Sequence, residues 1–359
     1  MCFKSDTLIQ NVLYPYLLTC LMEFSIYTKV GDFMKPKVLI PQSWRDPEIY
    51  KEPIDILKSI ADVEYISEEK FDEQLAEAEG MVGYGVGEEI LRKAPKLKVV
   101  ARYGVGYDDC DVEALTRHKV YLVHTPGVLS DAVADLTLAL ILACNRKIVK
   151  ADKYVRERWA REASGYFEYG MDLKGKTIGI IGLGRIGYEV AKRCVKGFDM
   201  KVIYYDIRRN KKAERELGAE YKSLEEVMKN SDFVSIHLPL TPQTRRLIRE
   251  EHLRLMKKTA YLINTARGAV IDQKALVKVL NEKLIAGAGL DVFEEEPVPL
   301  NDPLLSLENV VLTPHIGSLT REARKAMALC NAESIVAVLK GNIPPPNVVP
   351  EQRGMIFRK

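Results

Sequence analysis

From Lys37 onward, short β-branched runs alternate with longer stretches of helical period. Residues 38–40, 63–66, 81–84, 97–101 and 120–123 read as strands, with helices at 47–60, 68–78, 87–93 and 111–117. Residues 128–147 form a long apolar stretch that predicts a buried helix, with Ser130 or Asp131 as its N-cap. A second alternation starts at Lys176. It predicts strands at 177–181, 201–205, 232–236, 260–264, 286–290 and 309–312, and helices at 185–196, 211–217, 223–229, 249–256, 273–281 and 319–340. Strand and helix in turn imply parallel sheets covered by helices, here two such α/β units in succession. The last helix comes after the completed second sheet, so it is expected to pack back on the first unit.

A chain of 359 residues exceeds one hydrophobic core of ordinary size, which agrees with two domains. The net charge of +3 gives no electrostatic reason to expect nucleic acid or an anionic membrane as partner. The apolar stretch near the start is interrupted by Gln10, Asn11, Pro15, Thr19 and Glu23, too polar a run to span a bilayer. It also lacks the basic start and small-residue cleavage site of a signal peptide. Residues 1–33 do not match the rest of the chain, because Met34-Lys-Pro-Lys-Val-Leu-Ile opens directly into a strand. They are either an N-terminal extension or the product of a start codon placed too early, and they are expected to be dispensable for folding and turnover. The six cysteines are scattered, with no CxxC pair and no Cys/His run. This pattern predicts reduced thiols, a cytoplasmic protein and no metal site.

Thr177-Ile-Gly-Ile-Ile-Gly182-Leu-Gly184-Arg185-Ile186-Gly187 is a strand running through GxGxxG into a helix. Gly182 permits the tight turn, Gly184 lets a pyrophosphate approach the backbone, and Gly187 lets helix and strand pack closely. The next strand ends in Asp206, where a carboxylate can accept hydrogen bonds from both hydroxyls of an adenine ribose. That carboxylate repels a 2′-phosphate, whereas Arg208, Arg209, Lys211 and Lys212 could attract one. NAD is therefore expected ahead of NADP.

Three ionisable residues each follow a predicted strand of the second unit: Arg267, Glu296 and His315. A carbonyl that receives hydride must also receive a proton, which histidine can give near neutral pH. A neighbouring carboxylate favours the charged ring and orients it. Arginine can hold a substrate carboxylate and polarise the carbonyl. In the first unit, Tyr84-Gly85-Val-Gly87 and Tyr103-Gly-Val105-Gly106 form an internal echo, each after a strand. Glycine turns of this kind can present N–H groups to an anion.

Together, the blocks Ile181-Gly-Leu-Gly-Arg-Ile-Gly187, His237-Leu238-Pro239-Leu-Thr-Pro, Asn264-Thr265-Ala266-Arg267-Gly268, Gly289-Leu-Asp291-Val-Phe-Glu-Glu-Glu296-Pro297 and Thr313-Pro-His315-Ile316-Gly317 resemble the D-isomer-specific 2-hydroxyacid dehydrogenases. The resemblance runs from Met34 to about Val349 and is strongest toward glyoxylate/hydroxypyruvate reductases. It implies a flavodoxin-like substrate domain (34–129 and 316–350) and a Rossmann NAD-binding domain (130–315), both doubly wound parallel sheets. It further implies that Arg267 binds substrate, that Glu296 pairs with His315, and that His315 is the acid/base. Asp291 is expected to face the nicotinamide, with Thr265 and Ala266 lining its pocket, and His237 to sit near the adenosine. Ile207, Arg208, Leu238, Pro239, Ile316 and Gly317 complete the cofactor contacts. Tyr84, Gly85, Val105 and Gly106 are expected to form the substrate loops. A homodimer through 128–147 and the basic segment that follows is also implied. His118, His124 and His252 fit no motif and read as structural. Within the family, a short D-3-phosphoglycerate or D-lactate dehydrogenase is the alternative; outside enzymes, it is an NAD-sensing corepressor-like protein.

Overall fold

The computed structural model describes residues 35–83, 85–158 and 167–357. Residues 1–33 and Tyr84 therefore lie outside the described residues. The first sheet holds β1 (Lys37–Ile40), β2 (Asp62–Tyr65), β3 (Ala78–Gly83), β4 (Val99–Arg102) and β5 (Tyr121–Val123). Its order is β2-β1-β3-β4-β5, all parallel, which is the flavodoxin-like arrangement. Helices α1 (Pro47–Lys58), α2 (Phe71–Glu77), α3 (Glu88–Lys93) and α4 (Val112–Arg117) connect these strands.

The chain then enters α5 (Ser130–Asn145) and α6 (Ile148–Arg158). The second sheet comprises β6 (Thr177–Ile181), β7 (Lys201–Tyr205), β8 (Glu220–Tyr221), β9 (Phe233–Ile236), β10 (Tyr261–Asn264), β11 (Gly287–Leu290) and β12 (Val310–Leu312). Its order is β12-β11-β10-β9-β6-β7-β8, again all parallel. β6 has β7 on one side and β9 on the other, so the winding reverses at β6, as in a Rossmann sheet. Helices α7 (Arg185–Phe198), α8 (Lys211–Leu217), α9 (Leu224–Asn230), α10 (Glu250–Leu255) and α11 (Gln273–Asn281) accompany it. Finally α12 (Arg321–Leu339) returns to pack on α1, β3 and β4, as its position after the second sheet predicts.

Helix α5 is apolar on most faces because it is buried by α7, β10 and β11. Its start corrects the sequence reading. The N-cap position is Leu129, and no side chain caps the helix. Ser130 is already helical and buried, while Asp131 and Asp135 each accept a hydrogen bond from Arg193 at 2.7 Å. Ion pairing with α7 has taken the carboxylate that was expected to cap. Helix α6 and the two-residue β8 were not expected from the pattern. Among the described residues, no helix is long and apolar enough to cross a membrane.

Candidate active site

A cleft of about 1100 Å³ runs between the two units. The loop after β4, the residues after β10, the turn after β12 and the start of α7 all line it. In open α/β sheets, such a crevice beyond the carboxyl ends of the strands is where ligands bind.

At the nucleotide end, Gly182 has φ +94, and a Cβ there would stand 2.8 Å from the His237 carbonyl oxygen. Only glycine fits both constraints. A side chain at Gly187 would overlap the Gly182 carbonyl, so this position sets how closely α7 packs. At Gly184 a Cβ would meet nothing within 4 Å. Protein packing therefore leaves this position open, as an approaching phosphate requires. Gly184 is also the N-cap of α7 and offers no side chain, so the first-turn N–H groups keep their capacity for an anion. Asp206, at the end of β7, accepts from Leu183 N at 2.8 Å and from Arg208 N at 3.2 Å. Its carboxylate thus stands directly beside the glycine turn. Ile207 and Arg208 are exposed at the same strand end. Arg209 is instead tied to Glu214 at 2.9 Å and stacked on Tyr221.

His237 bonds Ser235 Oγ through Nε2 at 2.8 Å, and its buried Nδ1 has no protein partner. Burial pushes this histidine down to about 3, so it is neutral at any working pH. His237, Leu238 and Pro239 line the cleft together with Thr265 and Ala266. The Thr265 hydroxyl meets that of Thr137 at 2.9 Å, fixing this wall to α5.

At the reactive end, Asn264 staples the turn after β10: its Nδ2 donates to Arg267 O at 2.9 Å and its Oδ1 accepts from Ala266 N at 3.0 Å. Arg267 then projects across the cleft. Its Nε donates to Asp108 Oδ1 at 2.8 Å, and its guanidinium lies so close to Gly106 that a Cβ there would be 2.7 Å from Cζ. Both partners belong to the first unit. His315 has φ +54, an uncommon left-handed conformation for a non-glycine residue. Asp291 holds this turn: it accepts from Thr313 Oγ1 at 2.7 Å, Ile316 N at 2.8 Å and Gly317 N at 2.8 Å. Burial pushes the Asp291 carboxyl up against the pull of those three donors. Both of its oxygens are thus engaged by the His315 turn, although the residue also borders the cleft where the nicotinamide is expected.

His315 Nδ1 meets Glu296 Oε2 at 2.7 Å, and Glu296 Oε1 accepts from Phe293 N at 2.9 Å. Burial raises the Glu296 carboxyl. The His315 hydrogen bond, the Phe293 N–H and the Arg267 charge outweigh that effect and hold it below the usual range. The run of three glutamates separates cleanly, since Glu294 accepts from Arg246 Nε at 3.0 Å and Glu295 is exposed.

The structure therefore brings Arg267, Glu296, His315, Val105 and Gly106 to one place. It does not bring Gly85 there: the Gly85 N–H donates to Asp109 Oδ2 at 3.0 Å, and the residue is not part of the cleft wall. His118 pairs with Glu88 and His252 accepts from Arg249 N, in line with structural roles. His124 is closer to the chemistry than its sequence setting suggested. It borders the cleft and donates from Nδ1 to Val105 O at 2.9 Å, which steadies the Gly104–Gly106 turn. Asp108 and Asn264 were missed as positioning residues. The sequence signal for Asp108 was its place two residues after Gly106 of the second glycine turn.

The chain is similar to known proteins over most of its length. Residues 138–317 match the model of the D-isomer specific 2-hydroxyacid dehydrogenase NAD binding domain. The glyoxylate reductase of Thermococcus litoralis is 48% identical over 325 residues, 87% of this chain and 96% of the relative. That of Pyrococcus furiosus is 49% identical over 325 residues, 87% and 95% of the two chains. The crystal structure of an NADPH-dependent glyoxylate/hydroxypyruvate reductase from Sinorhizobium meliloti, in complex with NADP and malonate, superposes with a TM-score of 0.76. It is 30% identical and covers 90% of this chain and 99% of its own. By the family model and by relatives at 48% and 49% identity, this chain belongs to the D-isomer specific 2-hydroxyacid dehydrogenases.

Proposed function

We propose that this chain reduces glyoxylate or hydroxypyruvate to the corresponding 2-hydroxy acid with NADH, using His315 as general acid. The observation that carries this reading is the 2.7 Å His315–Glu296 pair at the mouth of a cleft that also holds Arg267. The open turn at Gly184, the uncapped start of α7 and Asp206 fit a nicotinamide dinucleotide, which supplies the hydride when bound. Residues 130–315 would hold the nucleotide, and 34–129 with 316–350 the acid. Asp206 favours NAD, and the engagement of Arg209 by Glu214 leaves Arg208 as the nearer cation for a 2′-phosphate.

Arg267 receives the substrate carboxylate alongside the N–H groups of the Val105–Gly106 turn. His315 delivers its proton to the developing alkoxide, and Glu296 stabilises the ring while it is charged. NADH oxidation in the presence of glyoxylate tests the reading. Wild type should turn over, and His315→Gln should lose about 10²–10⁴-fold in kcat. Full activity in His315→Gln would remove the histidine from this role.

The same reading includes a cytoplasmic homodimer. Cys110, Cys144, Cys194 and Cys330 are all free thiols, as a reducing compartment allows. Ile148, Val149 and Val155 of α6 are more than half exposed, at 51%, 56% and 52%. A second copy is the occupant that would cover them. Light scattering that finds only monomer at micromolar concentration contradicts the dimer.

A further inference from the structure

Helix α12 presents three cations within five residues, and they do not share a face. Arg321 pairs with Glu48, and Lys325 pairs with Glu52 at 2.8 Å, both acids lying on α1. Arg324 points elsewhere. Its guanidinium lies 5.3 Å from the centroid of the Tyr103 ring, and Tyr103 OH donates to Arg324 O at 2.8 Å. Arg324 and Tyr103 both border the cleft that holds Arg267 and His315, and Tyr103 directly precedes the Gly104–Gly106 turn.

Two facts make Arg324 unusual. Among the described residues no carboxylate pairs with it, whereas Arg267 has Asp108 and His315 has Glu296. Its Nε is buried and has no hydrogen-bond partner. The floor beneath it is aromatic and carries no carboxylate. Tyr103 packs on Trp44, which stacks on Tyr50 at 5.4 Å, and the buried Trp44 Nε1 also lacks a partner. A cation held at the cleft wall without an acid of its own favours a ligand that brings an oxygen.

We propose that Arg324 is a specificity-determining residue that selects 2-oxo acids carrying an oxygen on C3, rather than an alkyl group, by donating to that oxygen. The inference rests on the reading of this cleft as the 2-oxo acid site. With the carboxylate at Arg267 and the Val105–Gly106 turn, the remainder of the acid must extend along the cleft wall. Arg324 is a donor on that wall, beside the Gly104–Gly106 turn, with no acid of its own among the described residues. A methyl group in place of the oxygen would leave the donor unpaired, which is the situation in which a polar site discriminates strongly. Glyoxylate has no C3 and serves as the internal reference.

The test measures kcat and KM for glyoxylate, hydroxypyruvate and 2-oxobutyrate with NADH, in wild type, Arg324→Met and Arg324→Lys. 2-Oxobutyrate replaces the C3 hydroxyl of hydroxypyruvate with a methyl group. Wild type should favour hydroxypyruvate over 2-oxobutyrate. In Arg324→Met the hydroxypyruvate kcat/KM should fall by about tenfold to about a hundredfold more than that for glyoxylate, mainly through KM, and the preference over 2-oxobutyrate should collapse. Arg324→Lys keeps a cation over Tyr103 and should lie between the two, so the comparison survives if Arg324→Met does not fold. Equal losses for all three acids, or a wild type indifferent between hydroxypyruvate and 2-oxobutyrate, would overturn the proposal. A wild type that reduces none of them overturns the functional reading itself, a result distinct from glyoxylate turnover with unmoved ratios.

Discussion

Replacing Glu296 with Gln keeps the shape of the side chain and removes its charge. In the wild type the carboxyl is held below its usual range, so it stays ionised wherever the enzyme works. The neighbouring His315 lies 2.7 Å away, and the two side chains are 48% and 36% exposed. Solvent screening at that exposure reduces the pair to about 1–2 kcal/mol. Since 1.36 kcal/mol is about a factor of ten in rate, kcat/KM for reduction should fall about tenfold in Glu296→Gln. The direction comes from the reaction: reduction needs the charged ring, and the carboxylate favours that form. The assay is kcat/KM for glyoxylate with saturating NADH, from mildly acid to alkaline pH. Stability gives a second readout with its own sign. A depressed folded-state carboxyl contributes stability above its unfolded value, and that contribution is lost as pH falls through the folded one. Wild type should therefore lose melting temperature below the ordinary glutamate range, and Glu296→Gln should lack that component. Glu294→Gln is the control, because Glu294 faces Arg246. An unchanged kcat/KM in Glu296→Gln, or an equal loss in Glu294→Gln, would refute the pairing.

Gly106→Ala places a methyl against the mobile end of Arg267. It should raise KM and lower kcat/KM by about 10–100-fold with little change in melting temperature, as steady-state kinetics beside calorimetry will show. Gly268→Ala differs because its Cβ would overlap the Phe293 backbone, which cannot swing aside. Overpacking of this kind costs about 1–3 kcal/mol, so denaturant unfolding should show a clear loss of stability. Asp206→Ala should improve kcat/KM for NADPH relative to NADH, because the carboxylate at the end of β7 is gone while Arg208 remains. A wild type that already prefers NADPH would contradict that assignment.

Much of this was legible because it is local. The Gly182–Gly187 turn, the strand before it and Asp206 on the next strand lie within one stretch of chain, and each residue type answers a backbone or charge requirement. The order Arg267, Glu296, His315 was legible for a similar reason, since each comes after a strand of one sheet. Which of three glutamates would face His315 depended on the fold of a loop: Phe293 N caps Glu296 and leaves Glu294 for Arg246. Asp108 lies 159 residues from Arg267, on the other unit, and no periodicity reveals such a meeting. Helix α6 escaped notice because it is rich in charged residues and its apolar positions Ile148, Val149 and Val155 stay exposed. The turn at Gly85 shows the limit of a local repeat. The motif repeats, but Asp109 occupies the Gly85 N–H that the repeat seemed to offer.

The placement of His315 at a crossing between units has a mechanical consequence. The chain passes from the second sheet back to the first between Leu312 and Arg321, and His315 lies within that passage. Asp291 binds Thr313, Ile316 and Gly317, so the turn that carries His315 moves with the second unit. Thr320 caps α12 by accepting from Ala323 N at 3.2 Å, so everything from Thr320 onward moves with the first. Only Ser318 and Leu319 separate these anchors, and Leu319 is 59% exposed. A rotation of one unit against the other would therefore be absorbed after His315, not before it. The His315–Glu296 bond and its alignment with the nucleotide turn would survive such a movement. The contacts of Arg267 with Asp108 and Gly106, and the distance from His315 to Arg324, would not. On the proposed reading, the proton donor would thus move with the nucleotide turn, while the contacts proposed to hold the acid come from both units.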